Sequence, residues 1–293
     1  MNPVYWLQQG LNALQLGSIY ALIALGYTMV YGILTMINFA HGDVFMVGAF
    51  LCFVAAVLLG LPFVPALLFA TLGAALLGVS IERLAYKPLR NAPRVSAIIT
   101  ALGVGIFLEN FTLALNPYPR QIPKLLGETS WSAGGLTFSS LQVLIILLCL
   151  VLMLLLDLLV RRTLLGMAMR AISWERTTVA LMGVPVNFVI SATFALGAGL
   201  AGAAGTMYAL AFPVIDPYMG IMVGWKAFIS AVIGGIGNIR GAMLGSFILG
   251  GIEVMVPAFL PSTYRDVVEF SLLLVLLIVR PYGILGQPRV QKV

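Results

Sequence analysis

From residue 141 to residue 160 the chain runs for twenty positions with a single charged side chain, Asp157, and apolar stretches of similar length recur from end to end. About 20 apolar residues in a row is what a helix needs to cross a bilayer, where only helices and closed barrels satisfy their own backbone hydrogen bonds. Overall 61% of the 293 residues are hydrophobic and 9% are charged, with a mean hydropathy of +1.07; soluble domains carry about 25% charged residues. A soluble globular protein and a disordered one are both excluded. So is a disulfide scaffold, because the only cysteines, Cys52 and Cys149, each lie inside an apolar run. The reading is all-α: a polytopic integral membrane bundle of about eight to ten transmembrane helices, one domain over residues 1–293.

Apolar runs bounded by glycine and proline clusters predict nine spans, at 7–34, 44–60, 66–81, 96–115, 141–160, 186–211, 221–236, 242–260 and 267–279. Basic residues then set the orientation, since cytoplasmic loops retain lysine and arginine. Twelve of the sixteen fall on alternate connections and the tail: Arg83, Lys87, Arg90 and Arg94; Arg161, Arg162, Arg170 and Arg176; Arg240; and Arg280, Arg289 and Lys292. Arg120, Lys124 and Arg265 fall on the other side, and Lys226 near a span end. This places the C-terminus in the cytoplasm and, with nine spans, the N-terminus outside. The first basic residue is Arg83, so the N-terminus reads as a retained helix rather than a cleaved signal, in a bacterial inner membrane. Trp6, Trp131, Trp174 and Trp225 are expected in loops or at span ends, as interfacial anchors. The net charge of +6 is that of an inner face meeting anionic lipid or a partner, and calls for no nucleic acid.

Several functions are excluded or disfavoured by what is missing. None of Lys87, Lys124, Lys226 and Lys292 follows a glycine, so there is no phosphate loop for ATP. One histidine, His41, and two separated cysteines fall short of a metal-ligand set. No cofactor or metal is expected on this chain.

Helix contacts in lipid rely on small residues. Gly197, Ala201 and Gly205, with Ala198 and Gly202 beside them, and Gly241, Gly245, Ser246 and Gly250 form such rows. Two segments combine polar groups with flexible backbone: Ile37-Asn38-Phe39-Ala40-His41-Gly42-Asp43 and Gly234-Gly235-Ile236-Gly237-Asn238-Ile239-Arg240-Gly241. Each reads either as a broken or re-entrant helix beside a pathway or as an ordinary turn at the inner face. Asn38, His41, Gly235, Gly237 and Asn238 are the candidate path or gate residues. Intramembrane charges survive only when paired, hydrated or snorkelled. Asp157 is placed to pair with Arg161 one turn on. Glu109, Glu253, Glu269 and Lys226 fall in the middle or outer half of the bilayer, where a lysine–carboxylate pair competes with a place in the solute path.

The stretch Gly17-Ser18-Ile19-Tyr20-Ala21-Leu22-Ile23-Ala24-Leu25-Gly26, then Tyr31-Gly32 and Ile37-Asn38-Phe39-Ala40-His41-Gly42, resembles the amino-terminal signature of the LivH-type permeases of branched-chain amino acid ABC transporters. Residues 194–205 and 234–245 and the closing Arg280-Pro281-Tyr282-Gly283-Ile284-Leu285-Gly286 are similar to that family in the same order, so the resemblance covers essentially the whole chain. Permeases for urea, short amides and other amino acids look similar. The resemblance implies an importer in which this chain pairs with a second related permease. Two cytoplasmic ATP-binding subunits hydrolyse the ATP, and a periplasmic solute-binding protein delivers a small amino acid.

It also implies that 161–185 is the cytoplasmic coupling loop, with Arg170, Glu175, Arg176, Ala180 and Gly183 as its contact residues. Glu175, Ala180 and Gly183 resemble the E-A-x-x-x-G core of the ATPase-docking motif, except that Arg176-Thr177-Thr178-Val179 stands between the acid and the alanine. The residues alone show a mildly helical pattern over 167–182, which suits either a lipid-facing amphipathic helix or a docking helix. Two further classes compete with the importer. One is a proton- or sodium-coupled carrier using Glu109, Glu253 or Asp157; the other is an intramembrane enzyme with His41 and Asp43 as acid and base.

Overall fold

The computed structural model of the chain describes residues 3–90 and 92–286. Its helices are α1 (Pro3–Leu34), α2 (His41–Phe53), α3 (Phe63–Ile81), α4 (Arg94–Leu115), α5 (Ser140–Arg162), α6 (Leu164–Trp174), α7 (Arg176–Leu181), α8 (Val186–Ala211), α9 (Met219–Gly234), α10 (Ile239–Phe259) and α11 (Tyr264–Val279). Wide π-helical turns at Val54–Leu58 and Glu82–Tyr86 extend α2 and α3. Among the described residues seven helices are long and apolar enough to cross a membrane, and they match seven of the nine predicted spans. The other two predicted spans appear as α9 and α11, of 16 residues each. At 1.5 Å per residue that is about 24 Å, short of the ~30 Å hydrocarbon core.

The bundle is built around α1 and α8. Every residue of α1 from Gly17 to Val30 is buried, and so is every residue of α8 from Gly197 to Met207. A helix that is apolar all round belongs at the centre, and small side chains let these two approach. A methyl group on Gly250 would lie 2.7 Å from the Gly17 Cα, and one on Gly197 would lie 3.3 Å from the Gly26 Cα. The small-residue rows are therefore packing seams: α10 lies on α1 through Gly250, and α8 lies on α1 through Gly197. Cys52 and Cys149 are buried within the core. The helices α4, α5 and α11 turn leucine, isoleucine, valine and phenylalanine outward over most of their length.

All connections gather at two ends. One end is capped by two small antiparallel pairs: β1 (Arg120–Gln121) with β4 (Val214–Ile215), and β2 (Ser130–Ala133) with β3 (Leu136–Ser139). The start of α1 joins this end, where Gln8 and Thr137 exchange two hydrogen bonds. The other end collects the arginine-bearing segments. Asp157 binds Arg161 at 2.7 Å, as its spacing predicts, and also reaches Arg240 at 3.5 Å. Arg289 and Lys292 lie outside the described residues.

The segment after α1 does not simply turn back at that end. Thr35, a β-branched residue held at φ 53°, stops the helix, and the chain re-enters the bundle to start α2 at His41. His41 packs on Gly26, eight residues before the end of α1, so α2 begins about 12 Å inside. The second glycine-rich segment behaves differently. It is the turn between α9 and α10 at the arginine-rich end. Gly235 there adopts φ 107° under the tail, so close that a side chain would lie 2.7 Å from the Gly286 Cα. Ile284 and Leu285 donate backbone hydrogen bonds to Ile233 and Gly234.

Candidate functional site

The first turn of α2 is wedged between α4 and α9. Gly42 packs so closely on α9 that a methyl group there would lie 2.8 Å from the Gly224 Cα, and one on Gly220 would lie 2.7 Å from the Gly42 carbonyl. Around this contact is a cavity of about 230 Å³, whose lining includes the carboxylates of Asp43 and Glu109 and the rings of Tyr27, Phe39, Trp225 and Phe228. The four rings form a cluster on Phe228, with centroids 5.9 Å to Tyr27, 6.1 Å to Phe39 and 6.0 Å to Trp225. Asp43 is buried, and its Oδ1 has no hydrogen-bond partner. Its carboxylate interacts with that of Glu109, which reaches in from α4. Asp43 also stands in the first turn of α2, where the helix dipole favours an anion.

Asn38 and His41 flank this site without lining it. The Asn38 Oδ1 accepts a hydrogen bond of 3.1 Å from Tyr86, whose position is set by the wide turn at the end of α3. The His41 ring packs against Tyr27 at 4.7 Å, and its Nε2 is buried without a partner. His41 and Asp43 face opposite ways: two positions apart on a helix is about 200°, and their neighbours are Gly26 in one case and Gly105 with Gly220 in the other. The acid–base pairing of these two residues is therefore not formed.

Gly235, Gly237 and Asn238 lie away from the cavity, at the arginine-rich end. Asn238 caps α10 by accepting from the backbone N–H groups of Arg240 and Gly241, and it donates to the Leu285 carbonyl. These contacts make the segment a stop between two helices, the turn alternative of the sequence reading. Trp225 is the seventh residue of α9, and besides being partly exposed it lines the cavity.

Lys226, its neighbour on α9, turns to the other side. It binds Glu253 of α10 at 2.8 Å, Asp266 of α11 at 3.2 Å and Glu269 of α11 at 3.3 Å. Glu253 also accepts from Tyr20 at 2.7 Å and pairs with Arg265 at 3.3 Å. The expected lysine–carboxylate pair thus exists with Glu253 and Glu269, while Glu109 belongs to the cavity. Four helices, α1, α9, α10 and α11, meet in this network, which fits a structural tie. Sequence reasoning gave Asp266, Arg265 and Tyr20 no part in it. Spacing of three along α11 from Asp266 to Glu269 was the available signal.

A second tie, unforeseen from sequence, joins α3 to α8 at the arginine-rich end. Glu82 is fully buried, pairs with Arg90 and accepts from Ser191 at 2.6 Å; Arg90 reaches Asn187 at 2.5 Å. Residues 161–185 lie beside it. They form two helices rather than one, because Glu175 ends α6 and caps α7 by accepting from Thr177 N–H at 3.1 Å. Arg170 donates to the Val160 carbonyl, tying α6 to α5. Burial first and the charge of Arg90 second lower the pKa of the Arg176 guanidinium from its ordinary value. Ala180 and Gly183 are exposed, as are Leu164, Trp174, Leu181 and Met182. An apolar patch of this kind on a charged end is a surface suited to a protein partner.

The sequence family of permease components of branched-chain amino acid transport systems matches over residues 10–278. The high-affinity branched-chain amino acid transport system permease protein BraD of Pseudomonas aeruginosa is 43% identical over all of both chains. LivH of Escherichia coli is 42% identical, over 99% of this chain and 98% of its own. A probable LivH of Methanocaldococcus jannaschii is 27% identical over 94% and 91%. With a seven-span apolar core and an unbroken match along it, the chain belongs to the family of branched-chain amino acid transport permease components.

Proposed function

We propose that this chain is the membrane-spanning permease subunit of an ABC importer that carries branched-chain amino acids across the inner membrane. The observation that carries the reading is full-length similarity, at 42–43% identity, to permeases of that specificity. In this reading the arginine-rich end and the C-terminus are cytoplasmic, by the positive-inside rule. A second related permease stands beside the chain, and two ATP-binding subunits lie below. A periplasmic binding protein delivers the solute from above. The chain performs no chemistry; it offers a route, and residues 161–185 receive the work. Their exposed apolar surface, two short helices and attachment to α5 and α8 support that role. Closure of the ATPases pushes α6 and α7, and the push passes through the Arg90–Glu82–Ser191 tie into α3 and α8, which slide along the small residues where Gly78 packs on Ala198 and Gly202 on Ala74.

The test is leucine uptake by the reconstituted complex with its binding protein. Uptake is expected to stop when ATP is withheld and to continue when an uncoupler collapses the proton gradient. Collapse with the uncoupler would instead establish an ion-coupled carrier. Competition by isoleucine and valine, but not by urea or short amides, assigns the substrate class.

A further inference from the structure

Two carboxylates facing one another in an apolar cavity, with no lysine or arginine paired to either among the described residues, are an incomplete arrangement. The first turns of α2 and α9 soften the cost of the charge but supply no counter-ion. The space is far larger than the 10–15 Å³ or so that one water needs on this measure. A hard metal ion would ask for about six oxygen ligands, whereas this lining offers two carboxylates beside four aromatic rings, and no group of three or more acidic, histidine or cysteine side chains among the described residues could hold one. Carboxylates and aromatic rings lining one cavity are the groups that take an organic ammonium. The cavity reaches the surface past Ile106 of α4 and Ile221 of α9, both exposed. A carboxylate pair left facing lipid there would be costly, and one facing a solute path would not.

We infer that the Asp43–Glu109 cavity is a transit subsite for the ammonium end of the amino acid, with Tyr27, Phe39, Trp225 and Phe228 taking its aliphatic part. The inference rests on the importer reading and deepens it, because it places a solute contact inside the permease itself. It also explains why a chain this poor in charge keeps two acids with no basic partner among the described residues, and why glycines crowd the α2–α9 contact. Larger side chains would fill the space beside Asp43.

The test uses the intact reconstituted complex with Ile106→Cys as a reporter at the cavity mouth, against the same complex without it; the native cysteines are buried. A cationic thiosulfonate is expected to label the reporter at least about tenfold faster than an anionic one of equal size, a difference of roughly 1.4 kcal/mol between the two reagents. The bias should disappear in D43N/E109Q and halve, on a logarithmic scale, in E109Q alone. During turnover, leucine at high concentration should slow labelling, and 4-methylpentanoate, which lacks the ammonium, should not. A reporter inaccessible to aqueous reagents at every stage, equal rates for the two reagents, or equal protection by the des-amino acid would each overturn the inference. Wild-type leucine uptake, measured alongside, reports on the importer reading separately and can stand while the subsite fails.

Discussion

Lys226 is a costly residue to disturb. It is buried on α9 and holds three carboxylates from two other helices, so removing its charge leaves an acidic cluster with Arg265 alone to balance it. Breaking a buried ion pair by deleting one partner costs about 3–5 kcal/mol. Lys226→Met is therefore expected to lower the thermal unfolding midpoint of the purified protein markedly, while Glu109→Gln leaves it near wild type. Equal midpoints for the two would show that Lys226 is no tie. The charge-swapped pair K226E/E253K should recover only part of the loss, because Asp266 and Glu269 would then face a glutamate. From the sequence, the need of Lys226 for a carboxylate was readable, since a lone ammonium in hydrocarbon is untenable. Which carboxylate was not readable: Glu109 and Glu253 are chemically alike, and only the helix arrangement sends one to the cavity and the other to the lysine.

Among the elements, α6 and α7 show how a local rule can redirect a periodic pattern. The hydrophobic spacing over 167–182 suggests one helix, yet Glu175 takes an extended backbone and caps a new start, so the surface becomes two short rods meeting at an angle. That break presents Ala180 and Gly183 at an exposed corner. Ala180→Trp, a bulky change on an exposed position, should leave the permease folded and in the membrane and reduce leucine uptake at least about tenfold, the effect of some 1.4 kcal/mol of lost docking. ATP hydrolysis by the complex, assayed in parallel, should lose its stimulation by the loaded binding protein. Unchanged uptake would count against docking at this corner. The α2 break was legible in Ile37–Asp43 because polar residues and a glycine interrupt an apolar run. Its depth was not, since nothing in the one-dimensional pattern says that His41 will climb back to Gly26.

For the molecule as a whole, the separation of an arginine-rich end from a β-capped end yields a prediction about orientation. Cysteine at Arg240 should react with an impermeant thiol reagent only from the cytoplasmic side, and cysteine at exposed Thr129 only from the periplasmic side, in intact cells compared with inverted vesicles. The reverse pattern would invert the topology. Class, the positions of seven spans and the grouping of most basic residues at one end were legible in the sequence alone. They depend on hydropathy and charge summed over stretches of some 20 residues, and the bilayer reads those sums without regard to which helix neighbours which. The tertiary structure alone decided that the two glycine-rich segments differ, one entering the bundle and one closing an end, and that Trp225 and Lys226, adjacent in the chain, face a cavity and an ion network respectively. Adjacent residues on a helix point about 100° apart, so their surroundings are set by the packing of other helices.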